Sequence, residues 1–194
     1  MTLDQKITRP FSGVAIPAPG AYELDPPHTF ITFSVQHMVV GRVRGRFNSC
    51  SGTITVAEDP TKSSLDVSVD TESIDTQNEM RDEDLRSPRF LDVRAFPVMT
   101  YRATGVTPDL DSRWTLAGDL TVRDVTRTVP LSGTFQGAIL DPFGKTRLAF
   151  HASAALSRKE FGLTTELDRE SGGLLLGKDI IIEINAEAIK QAEP

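Results

Sequence analysis

From Ala21 onward apolar and polar residues alternate with a period of two, the spacing that sends successive side chains to opposite faces of a strand. In ITFSVQH, Ile31, Phe33, Val35 and His37 share one face. SLDVSVD sets Leu65, Val67 and Val69 against Asp66, Ser68 and Asp70. WTLAGDLTV aligns Trp114, Leu116, Leu120 and Val122, and RLAFHASAA aligns Leu148, Phe150, Ala152 and Ala154. DIIIEINAEAI does the same with Ile180, Ile182, Ile184 and Ala186. Turn-formers such as EDPTKS, TPDLDS, DPFGK and ESGG separate many of these runs. About eight strands with one apolar face each and short connections predict an all-β fold, an antiparallel sheet closed on itself. A barrel of about eight strands has room for packed side chains or for one small ligand. The inward set mixes large residues (Phe33, Phe47, Phe135, Phe150) with small ones (Ala152, Ala154, Ala186), as a tapered lumen requires. A solid core fits the same alternation, and periodicity alone does not separate the two.

One segment breaks the pattern. Thr76 to Asp92 reads TQNEMRDEDLRSPRFLD. Thr76 and Glu79 have capping-box spacing, Asp82 and Arg86 the spacing of a helical ion pair, and Ser87-Pro88 a stop. The segment predicts a helix of about three turns with a thin apolar edge at Met80 and Leu85. It is too polar for a core and reads as a cover over one barrel end, with Phe90, Leu91 and Phe96 dropping into the opening. Residues 1–20 carry proline at 10, 17 and 19 and predict an irregular arm outside the core, leaving residues 21–190 as a single barrel domain.

Composition narrows the function classes. The chain has 194 residues, 39% hydrophobic and 25% charged, enough for one globular domain with a real core or an internal cavity. No run approaches the roughly eighteen apolar residues of a membrane-spanning helix, so stable membrane insertion is not expected. The start, MTLDQKITRPFSG, lacks the layout of a secretory signal, and the expected location is cytoplasmic. A net charge of −6 argues against a nucleic-acid partner. The single Cys50 cannot form an internal disulfide, which suits a reducing compartment.

Candidate chemistry is sparse. GGLLLGK matches a phosphate-loop pattern, but Asp179 stands where Ser or Thr holds magnesium and a strand-like run follows, so a hairpin turn fits better. No G-x-S-x-G elbow occurs, and Cys50 has no evident histidine partner. His28, His37 and His151 lie far apart without ligand spacing, so no metal site is expected. Arg42, Arg44 and Arg46 share one face opposite Val43, Gly45 and Phe47, which suits either a phosphate fork or a solvated strand face. His37, in phase with Phe33 and Val35, is either a polar group at a lumen end or a core histidine satisfied by backbone or water.

Several stretches together carry a resemblance. SIDTQNEMRDEDLRSPRFLD, FPVMTY, GDLTVRDVTRTVPL and SRKEFGL, with FSVQHM and RGRF before them, resemble the YceI family of lipocalin-like, polyisoprenoid-binding proteins from about Ala21 to Ala188. The resemblance implies an eight-stranded antiparallel lipocalin-like barrel, with short helical segments covering the ends, around an apolar tunnel for a long isoprenoid chain. It implies a wall made of Phe33, Val35, Phe47, Val67, Phe90, Leu120, Phe135 and Phe150, with Tyr101 beside them. His37 is then placed to meet a quinone oxygen or a diphosphate, and Arg81 is the secondary head-group candidate. Arg81, Asp82 and Arg158 are otherwise expected to make structural ion pairs. Three positions depart from the family pattern: Asp84 where histidine is common, Tyr101 for phenylalanine and Asp124 for a turn glycine. The implied function is binding of a polyprenyl diphosphate or an isoprenoid quinone for carriage, storage or metabolism, with no catalytic residue and no cofactor beyond the lipid. The rival readings are an enzyme using His37 as acid or base near Asp82, and a partner-binding scaffold barrel. Exposed strand faces also allow a homodimer.

Overall fold

The structure is a computed structural model, and it describes residues 7–109, 113–164 and 175–192. The strands are β1 (Thr8–Phe11), β2 (Val14–Pro17), β3 (Gly20–Leu24), β4 (Phe30–His37), β5 (Gly41–Phe47), β6 (Cys50–Val56), β7 (Ser64–Asp70) and β8 (Ile74–Asp75). After the helix α1 (Glu79–Arg86) come β9 (Val98–Pro108), β10 (Arg113–Val122), β11 (Val125–Leu140), β12 (Thr146–Ser157) and β13 (Leu176–Lys190).

Three pairs of short strands are each one wall of the barrel with an interruption. β3 and β4 both pair with β13, and Pro26–His28 form a 3-10 turn between them. Prolines have no N–H for the ladder, so the wall breaks there. β5 continues into β6 past Asn48 and Ser49, and β7 into β8 past Thr71–Ser73. Counted this way, eight antiparallel walls follow one another around a ring, and β12 pairing with β13 closes it. This is the expected barrel, and closure removes the free edges an open sheet would expose.

At the end where β3 begins and β13 ends, Tyr22, Leu148 and Ala188 are fully buried and fill the lumen. Farther along, Tyr101 lies across Gly118: a Cβ at Gly118 would stand 2.5 Å from Tyr101 Cζ and 2.8 Å from the Arg102 carbonyl. The ring cannot swing away, because its hydroxyl is shared between the carbonyls of Leu116 (3.0 Å) and Val129 (2.9 Å). Burial pushes this phenol up to about 12. Gly118→Ala is therefore expected to destabilise the barrel by about 1–3 kcal/mol, the usual scale of overpacking. A melting temperature unchanged in thermal denaturation would show that the wall yields without cost.

Residues 7–20 differ from the expected irregular arm, and residues 1–6 of that arm lie outside the described residues. β1 and β2 form a hairpin around Ser12 (φ 49°) and Gly13 (φ 84°), both left-handed as a two-residue hairpin turn requires. In a two-stranded ribbon each strand is an edge, so Pro10 and Pro17 cost little in hydrogen bonds. Nor does the hairpin lie outside the core. Ile16 is 2% exposed, Phe11 stacks against Trp114 with ring centres 5.9 Å apart, and Arg9 donates to the Glu58 carbonyl (2.6 Å).

α1 is shorter than expected, eight residues, and Asn78 caps it by accepting from the Arg81 N–H (3.0 Å). Thr76 has another task. Its N–H and hydroxyl both donate to Asp82 Oδ1 (2.9 and 2.5 Å), which buries the carboxylate. The expected Asp82–Arg86 pair is consequently absent: Arg86 donates to the carbonyls of Glu72 (2.9 Å) and Ile74 (2.7 Å). Of the helix's apolar edge, Leu85 packs on the core and Met80 faces solvent at 81% exposure. Among the described residues no helix is long and apolar enough to cross a membrane. Leu176–Lys178 of the GGLLLGK stretch belong to β13, while Gly172–Leu174 lie outside the described residues.

Candidate functional site: an apolar cavity in the barrel

The barrel encloses a cavity of about 540 Å³, within the range of small-molecule sites. Its wall is almost entirely carbon and comes from every part of the ring. Small residues keep it open: Ala152, Ala154, Ala186 and Gly133 border it where larger side chains would meet across the lumen. Several inward apolar residues, among them Phe47, Leu116, Leu120 and Ile184, are only partly buried although the ring is closed around them. They face open space. Beside them, Val122 at the β10–β11 turn and Val129 and Leu131 on β11 are packed at 5–7% exposure.

All eleven residues expected at a ligand site border this cavity: Phe33, Val35, His37, Phe47, Val67, Arg81, Phe90, Tyr101, Leu120, Phe135 and Phe150. Two aromatic pairs stand on the wall, Phe33 with Phe47 (5.7 Å between centres) and Phe135 with Phe150 (5.5 Å). Tyr101 offers only its ring, since backbone carbonyls take the hydroxyl. His37, at the end of β4, is exposed to solvent. Arg81 ties α1 down by donating from Nε to Thr76 Oγ1 (2.7 Å) and from Nη2 to the Thr76 carbonyl (2.8 Å).

Other expectations change. Arg81 and Asp82 both engage Thr76 rather than each other. His37 and Asp82 do not meet, because Thr76 holds the buried carboxylate, so no acid–base pair forms there. Asp84, in place of the family's histidine, borders the cavity and pairs with Arg89 (3.1 Å). Phe90 and Leu91 enter the wall, but Phe96 does not; Arg123 sits over its ring at 5.5 Å. Arg42, Arg44 and Arg46 point outward and are exposed.

Among the described residues Arg158 serves backbone carbonyls. It is 2% exposed and donates to the carbonyls of Leu163 (2.6 Å), Gly177 (2.8 Å) and Leu176 (3.0 Å). A fork of five donors suits several converging carbonyls. Ile16 and Pro17 of the N-terminal hairpin, with Pro60 and Ser63, were not foreseen as wall residues. The first two lie on β2, a strand too short and proline-bearing to show an alternation, and the others in the β6–β7 connection, where alternation carries no signal about which way the chain folds back.

Outside the barrel, Asp25, His28 and Glu187 bring potential ligand atoms within 4.8 Å of one another. Arg147 already occupies that cluster: its Nη1 reaches Asp25 and Glu187 Oε2 (3.2 Å), and its Nε reaches Asp141 Oδ2 (2.9 Å). The guanidinium holds the Asp25 carboxyl below the usual carboxylate range. A cation is in place without a metal.

Comparison with known proteins agrees with this geometry. A family profile described as the YceI-like domain matches residues 22–188. Protein YceI of Salmonella newport (strain SL254) is 32% identical over 181 residues, 93% of this chain and 91% of its own length. Among solved structures, Burkholderia cenocepacia BcnA superimposes with a TM-score of 0.75 at 14% identity, over 84% of this chain and 98% of its own. A polyisoprenoid binding domain from Saccharophagus degradans, implicated in plant cell wall breakdown, gives a TM-score of 0.68 at 13% identity over 90% and 100%. At such identities these two show the shared fold alone. The profile and the Salmonella relative reach further, across the wall strands and the helical cover that frame the cavity, and by them this chain belongs to the YceI family.

Proposed function

We propose that this protein binds the chain of a long isoprenoid lipid, a polyprenyl diphosphate or an isoprenoid quinone, inside the barrel as a non-catalytic carrier or store. The observation that carries the reading is an apolar cavity the protein's own side chains do not fill. At about 24 cal/mol per Å³, a dry void of that size costs on the order of 13 kcal/mol, as much as the whole stability of an ordinary domain. Water relieves little of it, because a carbon wall gives each molecule too few partners. An apolar chain relieves it directly, and each methylene leaving water adds about 0.8 kcal/mol before the costs of ordering and association. Membership of the YceI family and the Saccharophagus neighbour's polyisoprenoid binding support the same ligand class.

A polar head group fits at the helical end. His37 stands there in the open, and Arg81 keeps Nη1 without a protein partner among the described residues. An arginine suits a diphosphate, and a neutral imidazole suits a quinone oxygen. No cofactor is required, since desolvation does the binding.

Protein purified from its native host without detergent is expected to release an isoprenoid lipid on solvent extraction, in amounts near one per chain by mass spectrometry. A native mass equal to the bare polypeptide, with extracts free of isoprenoid, would overturn the reading.

A further inference from the structure

The hairpin from β4 to β5 violates two habits of surface turns. Met38 (φ 47°) and Val39 (φ 64°) both take the left-handed conformation. Such turns favour asparagine and glycine, and a β-branched residue there is strained. The same residues are also apolar and bare: Met38 is 54% exposed, Val39 59% and Val40 94%. Asn-Gly would build this turn with less strain and no greasy surface. Nor is the tip loose, since Met38 N–H donates to the Leu175 carbonyl (3.0 Å) and the Gln36 amide to the Val39 carbonyl (2.5 Å).

Behind the tip, Arg42, Arg44 and Arg46 stand exposed on the outer face of β5. Their neighbours across the register on β4 are Gln36, Ser34 and Thr32, all uncharged. Arg46 is partly neutralised by Asp75 at 3.4 Å, which leaves Arg42 and Arg44 as a positive pair behind the tip among the described residues. His37 and Val43, on either side of the tip, both border the cavity. A rigid apolar point, two arginines behind it and an apolar cavity beside it thus occupy one corner of a chain whose net charge is −6.

We propose that this hairpin docks the protein reversibly on an anionic phospholipid bilayer. Met38, Val39 and Val40 enter the boundary between head groups and acyl chains, and Arg42 and Arg44 meet the phosphates. The chain's negative excess is repelled from such a surface, so the arginine corner sets the orientation. Docking this way brings the cavity's His37 end to the lipid, which extends the binding reading above to how a chain is taken up or delivered. Met80 is exposed at the same end but lies between Glu79 and Glu83, whose charges oppose an anionic surface, and it is left out. Phe143, 86% exposed, marks a second apolar tip on the β11–β12 connection, at the other end of the barrel, and serves as a control.

The intact protein is mixed with large unilamellar vesicles of phosphatidylcholine, alone or with about one-third phosphatidylglycerol, and floated on a density gradient. Wild type is expected to float with the anionic vesicles and to be released by salt. Val40→Asp is expected to lower the bound fraction about tenfold, while Phe143→Asp leaves it within about twofold. Wild type that does not float, or Val40→Asp that floats like wild type, overturns the proposal. So does a tip that joins two copies of the chain, seen in gel filtration as a dimer lost in Val40→Asp with no vesicle binding by wild type. Loading of free isoprenoid quinone from dilute ethanol, read by extraction, is expected to persist in Val40→Asp. Its failure in wild type would strike the cavity reading and leave docking standing.

Discussion

Ala152→Trp is expected to leave the barrel folded and to strip it of its ability to retain a long isoprenoid chain. Ala152 lies on β12 opposite Gly133 of β11 and Ile184 of β13, and all three border the cavity. An indole at this position enters open space rather than packed protein, so the overpacking that makes such changes costly in a solid core does not arise. The same indole denies the lumen to the ligand. Excluding a single five-carbon isoprene unit forfeits about 4 kcal/mol at about 0.8 kcal/mol per carbon, a loss of several hundred-fold in affinity. Extraction of the purified variant should then recover less than about a tenth of the wild-type lipid, with the melting temperature of lipid-free protein little changed. Phe150→Trp enlarges a residue already on the wall and should shift the bound population toward shorter chains. Wild-type occupancy and chain length in both variants would remove the cavity as the binding site.

Arg158→Met is expected to destabilise the protein by at least about 3 kcal/mol, the largest stability loss anticipated for a single side chain here. The guanidinium is 2% exposed and serves the carbonyls of Leu163, Leu176 and Gly177, joining the turn after β12 to the start of β13. Methionine occupies a comparable volume, so the effect isolates lost hydrogen bonds from lost packing. Each buried carbonyl left unsatisfied costs about 1–3 kcal/mol, and three are affected. Arg158→Lys should recover only part of the loss, because an ammonium cannot reproduce a planar fork. Urea unfolding measures both variants, and a midpoint unmoved in Arg158→Met would mean that these carbonyls find other partners.

How far the sequence foretold this molecule depends on which physical signal each part sends. Period-two alternation identifies the inner face of a strand directly, and so Phe33, Val67, Leu120 and Phe150 could be named as lumen residues before any coordinates. Whether that lumen is hollow was not legible. Ala152 and Gly133 satisfy the same alternation in a filled barrel, and only their placement opposite each other leaves a gap. The N-terminal hairpin was hidden for another reason. Its prolines are turn-formers by statistics, yet they sit on a two-stranded ribbon whose strands are both edges. At the helix, Thr76 and Asn78 both qualify as caps, and Asn78 takes the role while the Thr76 hydroxyl donates to Asp82 and accepts from Arg81 Nε. Hydrophobicity alone places Phe96 in the opening and Met80 on the helix's apolar edge, yet Phe96 lies beneath Arg123 and Met80 in solvent.

The last wall, β13, fastens to β12 on one side and to both β3 and β4 on the other. During synthesis the ring therefore stays unzipped until residues 176–190 have left the ribosome, and β3 and β4, which meet β6 and β5 early, wait for nearly the whole chain before finding their second neighbour. Pairings so distant along the polymer form slowly, and the greasy inner face is bare meanwhile. A nascent chain arrested before β13 is an open trough with two unpaired rims, the form in which this protein is most exposed to clumping and to capture by chaperones.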